Sequence, residues 1–239
     1  SGRLPTTAPA VPSFGDSYSA VLPADLVRAG VRVSPRLSPA ATNTPTVAPR
    51  VGGGVAMRFV AVPVQIGGTV GQAVSAAEGF LQARLPVSGV TRQDRAALVS
   101  TRVTSLPANE TEWSNAFSRI LGELDDLHLL DGASSRSYYF GFIPKRTFGL
   151  SGLGYRPGNA AVGFDLPNSP TIVRETVLHE VGHNLSLLHA PCGSPSGPDP
   201  SYPYANATLG AGSRFIWGYD VSQQRFIDPR PTSVHDPMS

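Results

Sequence analysis

Three of the five histidines lie within one short stretch, His179-Glu-Val-Gly-His-Asn-Leu-Ser-Leu-Leu-His189. Residues four apart on an α-helix share a face, so His179 and His183 can aim imidazole nitrogens at a single ion about 2 Å away. Glu180 lies beside that face, placed to take a proton from a metal-bound water rather than to ligate the metal, as the pattern His-Glu-x-x-His encodes. His189 comes six residues after His183, and a continuing helix would carry it about 240° away from the first pair. The helix must end between them and the chain must turn back. Three neutral imidazoles with a fourth position left to water mark a catalytic rather than a structural zinc site. The imidazole donor set favours one Zn2+ ion over calcium or magnesium, and no calcium site is readable.

The stretch resembles the metzincin signature His-Glu-x-x-His-x-x-Gly-x-x-His of zinc endopeptidases. That resemblance implies His179, His183 and His189 as zinc ligands and Glu180 as the catalytic base. It departs at Ser186, where the family has the glycine that turns the chain out of the helix. Ser186 is therefore expected either to accept a positive φ, at about 1 kcal/mol or more, or to sit in a slightly different turn. The family's second mark is a methionine in a tight turn under the metal, and "HDPMS" fits it with Met238 as the Met-turn residue. The strings "HEVGHN", "WGYD" and "DPMS" are reminiscent of secreted bacterial members, mucinase-like or reprolysin-like. Metzincins continue past the Met-turn into a closing helix, so the catalytic domain is expected to be truncated just after it. The resemblance also places an extended substrate on an exposed strand edge within "GLSGLGYRPG", which gives Gly152, Leu153 and Gly154 as substrate-binding residues. Glycines there suit the close approach of another backbone. Tyr202, Tyr204 and Tyr219 offer no spacing by which to choose an oxyanion-stabilising residue, and His128 and His235 read as ordinary surface or core histidines.

These residues must be carried by a domain, and the pattern along the chain predicts an α/β (α+β) fold. The metzincin resemblance implies two subdomains, with a twisted mixed sheet, an active-site helix and an irregular C-terminal part. "VAMRFVAVPVQI" (55–66) reads as a strand, with Pro63 at its end or at a bulge. Residues 69–85 place Val70, Val74, Ala77, Leu81 and Leu85 on one helical face, and 95–106 read as a strand completing a βαβ unit. Asn109 and Glu112 form a capping box for a helix that buries Trp113, Phe117, Ile120, Leu121 and Leu124 and ends near Gly132. Residues 137–143, 148–158 and 160–165 read as strands, and Ser169-Pro170 opens the helix carrying the histidines. After His189 comes a long Pro/Gly loop, followed by a short hairpin, "RFIWGYD…QRFID". Residues 1–51 hold eight prolines and read as a linker or the remnant of a preceding β-rich module. One β-hairpin candidate lies at 17–33, turning about Arg28-Ala-Gly30. The catalytic domain is expected over 52–239.

At 239 residues and 41% hydrophobic content the chain can build a real core. A formal charge of +2, from 19 basic and 17 acidic residues scattered without runs, predicts no nucleic-acid partner. No apolar run is long enough for a membrane span. The expected substrate is a polypeptide or glycoprotein, and the expected location is secreted, the signal peptide being absent from this chain. Oligomeric state is not readable. Cys192 stands alone, as a free thiol or one whose partner lies elsewhere. The expected function is zinc-dependent hydrolysis of peptide bonds in extracellular proteins or glycoproteins through a zinc-bound water activated by Glu180. Two alternatives differ in class: a non-catalytic, zinc-stabilised glycoprotein-binding module, and a zinc amidase acting on a non-peptide amide. Glu180 counts against the first, since a structural site needs no base.

Overall fold

The computed structural model describes residues 20–36, 45–144, 151–193, 195–202, 210–211, 214–215, 218–220, 225–228 and 236–239. The chain divides into two compact units, Ser1–Gly54 and Val55–Ser239. In the first, Ala24–Leu26 tightens into a 3-10 turn, Gly30 takes φ +83°, and Val33 bridges Val47 in antiparallel fashion. The expected hairpin at 17–33 is therefore corrected among its described residues. The 3-10 turn breaks the alternation, and the pairing joins 33 to 47 instead of folding the segment about Arg28–Gly30.

The second unit is built on a mixed seven-stranded sheet. Strand β1 (Ala56–Ile66) is its centre, and β5 (Ser137–Ile143) and β7 (Ala160–Phe164) follow in parallel. β6 (Gly152–Gly154) closes the order antiparallel to β7. On the other flank of β1 lie β3 (Gly89–Asp94) and β4 (Leu98–Val99), both parallel, while β2 (Thr69–Val70) folds back antiparallel. The near-continuous apolar runs of β1, β5 and β7 suit strands covered on both faces. On one face α2 (Glu110–Leu130) packs through Trp113, Phe117, Ile120 and Leu124; on the other lie α1 (Ala77–Gln82) and α3 (Pro170–Asn184). Burying each of these large side chains contributes about 1.5–3 kcal/mol. Phe164 meets both Trp113 and Phe117 edge-on, at centroid distances of 5.2 and 4.9 Å, and so ties β7 to α2.

The α+β class and its twisted mixed sheet are as expected, but three local expectations are corrected. Pro63 lies inside β1, not at its end. It sits where one flank of β1 passes from β3, ending at Ala61↔Asp94, to β4, starting at Val64↔Leu98, so the N–H it lacks is missed by no ladder. The helix expected over 69–85 shrinks to α1, because Thr69 and Val70 form β2 and Gly71 passes too close to the Phe142 carbonyl for any Cβ. The βαβ unit exists, but its second strand is the polar β3 over 89–94; of residues 95–106 only Leu98–Val99 is strand.

The Asn109 cap forms: its Oδ1 accepts from Glu112 N at 3.0 Å, and Glu112 reaches back to Ala108 N at 2.8 Å. Ser169 precedes α3 with Pro170 at its start, though its hydroxyl makes no capping bond. Beyond α3 the described chain is irregular, with two short antiparallel pairs, β8 (Gly210–Ala211) with β9 (Arg214–Phe215) and β10 (Gly218–Asp220) with β11 (Arg225–Ile227). His128 is a core histidine, its Nε2 3.1 Å from the Ser134 carbonyl and its ring edge-on to Tyr139. Residues 148–150, Tyr204 and His235 lie outside the described residues.

Candidate metal centre

Helix α3 packs its Val173, Val177 and Val181 against the sheet, which turns His179 and His183 toward a cleft on the opposite side. The helix ends after Asn184 in a Schellman turn: Leu187 N donates to Gly182 O at 3.0 Å and Ser186 N to His183 O at 2.8 Å. Ser186 occupies the left-handed position of that motif, with φ +77°. Of the two outcomes open for this residue, it takes the strain. Ser186→Gly should therefore raise stability by about 0.5–1 kcal/mol, read as a Tm increase of about 1–4 °C with metal content unchanged. An unchanged or lower Tm would refute the strain.

The reversal carries His189 back beside the first pair. One ring nitrogen from each of His179, His183 and His189 falls within 4.8 Å of the others. The opposite nitrogens are all committed to backbone carbonyls. His179 Nδ1 lies 3.0 Å from Pro237 O, His183 Nδ1 2.9 Å from Leu187 O, and His189 Nδ1 2.6 Å from Ser196 O. A carbonyl can only accept, so each Nδ1 bears the proton and each Nε2 is a bare lone pair. Two such lone pairs, those of His183 and His189, face each other at 3.2 Å. Without a cation between them that approach is repulsive, and with one it matches the nitrogen separation of about 3.3 Å expected for a tetrahedral zinc site. Burial lowers the pKa of His179 and His183, and the positive charge of Arg156 acts the same way on His183, so both imidazoles are neutral and ready to ligate near pH 7. The three histidines fit a divalent metal by donor type, tautomer and spacing.

Met238 lies buried in the turn Asp236–Ser239, in which Asp236 Oδ1 accepts from Met238 N at 2.9 Å and Asp236 O from Ser239 N at 3.0 Å. Its carbonyl accepts from Ala190 N at 2.9 Å, and its sulfur occupies the space left by the missing side chain of Gly182, 2.6 Å from where a Cβ would stand. One turn thus supports His179 through Pro237 and the chain beside His189 through Met238. Tyr202 packs in the same cluster, its hydroxyl 3.2 Å from Asp236 Oδ2, and the free thiol of Cys192 lies beside it.

Glu180 is buried against the edge strand. Burial alone pushes its carboxyl up to about 8. The glycines of β6 make this possible: a Cβ on Gly152 would stand 2.6 Å from Glu180 Oε1, and one on Gly154 2.7 Å from Glu180 O. It is the helix that crowds these two glycines, through the side chain and the carbonyl of Glu180. Ser151 O and Tyr155 N bond to β7, so strand alternation directs the N–H and C=O of Gly152 and Gly154 to the open edge, while Leu153 packs toward the core.

Histidines, Glu180 and β6 all line one cleft of about 640 Å³. Sequence patterns did not point to Asn184, whose buried Nδ2 donates to Tyr155 O and Ala160 O at 2.9 Å each, pinning the β6–β7 connection to the end of the metal-bearing helix. Its position directly after a candidate ligand was the available signal. Gly182 was also missed, although a glycine inside a helix asks for a packing reason.

Residues 144–235 match the family Peptidase M66, a family of zinc metallopeptidases. Over 92 residues the chain is 36% identical to a "Dictomallein-like protein" of Hahella chejuensis (strain KCTC 2396). That stretch is 38% of this chain and 13% of the relative, so the chain spans a small part of the length of the protein it matches. The family match over 144–235 includes all three histidines and Glu180 but stops before Met238. The similarity is to metallopeptidases in general.

Proposed function

We propose that this chain carries the catalytic site of a zinc endopeptidase of metzincin type, hydrolysing peptide bonds of extracellular proteins or glycoproteins. The observation that carries this reading is the convergence of three imidazoles whose Nδ1 hydrogens are all tied to carbonyls, next to a buried carboxylate and a free strand edge. His179, His183 and His189 would hold the ion, and Met238 braces their supports, filling the space beside Gly182 and accepting from Ala190 N. When bound, zinc supplies Lewis acidity, which acidifies water and polarises an amide carbonyl. Glu180 takes a proton from the attacking water at its carboxylate and returns it to the leaving amine. Gly152 and Gly154 pair with an extended substrate through their outward N–H and C=O groups, fixing the scissile bond whatever its side chains are. The carbonyl-bound Nδ1 atoms prevent the imidazoles from rotating as the proton moves.

A non-catalytic zinc module has no use for a carboxylate held desolvated beside the open ligand position. A long cleft bordered by an unpaired strand edge, among the described residues, suits a peptide better than a small amide. No helix among the described residues is long and apolar enough to cross a membrane.

Digestion of a peptide library with the zinc-loaded protein tests the reading. Internal cleavage should appear, stop when a chelator removes the metal, and return with added zinc. Absence of cleavage by protein of full zinc content would overturn it.

A further inference from the structure

Beyond His183 and His189 the cleft opens into a side pocket of about 190 Å³ lined by Arg156, His183, Leu188, His189, Ser196 and Gly197. Gly152 and Gly154 face α3 without side chains, and Arg156, two residues past the end of the edge strand, lines both the main cleft and the side pocket. Its backbone is anchored on both sides, by Tyr155 O accepting from Asn184 Nδ2 at 2.9 Å and Gly158 N donating to Asn184 O at 3.3 Å.

Arg92, Arg95 and Arg102 each hold a carboxylate, whereas among the described residues Arg156 has no ion pair and none of those lining the side pocket is acidic. Two acids among the described residues line the main cleft, Glu180 beside the histidines and Glu175 on the helical turn before them, so Arg156 is the cationic group at the opposite, side-pocket end.

We propose that Arg156 is a specificity-determining residue that selects a carboxylate on the substrate chain, received in the side pocket beyond His183 and His189. This rests on the endopeptidase reading. A guanidinium offers paired donors to a carboxylate and none to a cation, so an acidic group in that pocket is bound and a basic one repelled.

Quenched peptides of matched sequence, carrying Glu, Gln or Arg at each position around the scissile bond, test this with the zinc-loaded chain. One position should prefer Glu over Gln by about tenfold in kcat/KM, chiefly through KM. Arg156→Glu should reverse the order at that position to favour Arg, and Arg156→Lys should keep part of the preference. A parallel set ending in a free or amidated C-terminus at that position separates a side-chain carboxylate from a terminal one. An unchanged Glu-to-Arg ratio in Arg156→Glu overturns the proposal while leaving the peptidase reading standing. Absence of cleavage in every arm overturns the peptidase reading instead. In that case the affinities of the same peptides for zinc-loaded wild type and Arg156→Glu decide for or against Arg156.

Discussion

Changing Glu180 to glutamine should cut peptide hydrolysis by about 10²–10⁴-fold while leaving zinc content unchanged. Glutamine keeps the volume that fills the space against Gly152 and Gly154, and none of the three imidazoles is altered, so the loss isolates proton transfer. Burial in the metal-free protein raises this carboxyl to about 8, and a nearby divalent cation acts in the opposite direction. The two effects bracket neutral pH, where a general base works best. The same burial gives the substitution a second, opposite consequence. The unfolded chain ionises Glu180 near its ordinary value of 4.5, so its contribution to stability is fully present below that value and is lost as pH rises through about 8. Glutamine never ionises. Metal-free Glu180→Gln should thus match wild type at pH 4–5 and exceed it by roughly 1–3 kcal/mol at pH 9, as read from thermal melts. Wild-type cleavage rates in the variant would remove Glu180 from the mechanism.

The long helix α2 was legible because its apolar residues keep the helical period and its start is spelled out by Asn109 and Glu112. β1, β5 and β7 were legible as apolar runs. The segment between them misled for a physical reason. Val74, Ala77, Leu81 and Leu85 are all buried at helical spacings, yet only Ala77–Gln82 is helix, because burial on one face does not require a continuous helix. β3 carries little apolar pattern, since it lies at the sheet margin and owes its place to backbone pairing with β1. At the site, the spacing of His179, His183 and His189 announced their convergence. Their supports did not show: Pro237, Leu187 and Ser196 contribute carbonyl oxygens, which every residue possesses and which only the folded path aims.

Gly154→Ala should cost about 1–3 kcal/mol of stability and lower kcat/KM about 10²-fold, although it replaces no proposed ligand or base. The added Cβ would stand 2.7 Å from the carbonyl oxygen of Glu180. That neighbour is helical backbone and cannot rotate away, so β6 and α3 must separate. Separation moves Glu180 relative to the strand edge proposed to hold the substrate, and misplacements of about 1 Å carry rate losses of this size. Gly152→Ala provides the contrast, because its Cβ would meet the Glu180 side chain at Oε1, Cγ and Cδ, between 2.6 and 2.9 Å. A side chain can swing aside, so this variant should keep most of its stability and its zinc while losing activity at least as severely, the base having been pushed from its place. Equal Tm losses in the two variants would contradict the distinction between a backbone and a side-chain contact. Full activity in Gly154→Ala would mean that the spacing of β6 from α3 does not set the reaction geometry. The two glycines thus serve both partners of the proposed cleft: their missing side chains admit the helix that carries Glu180, and their outward backbone groups remain for the substrate.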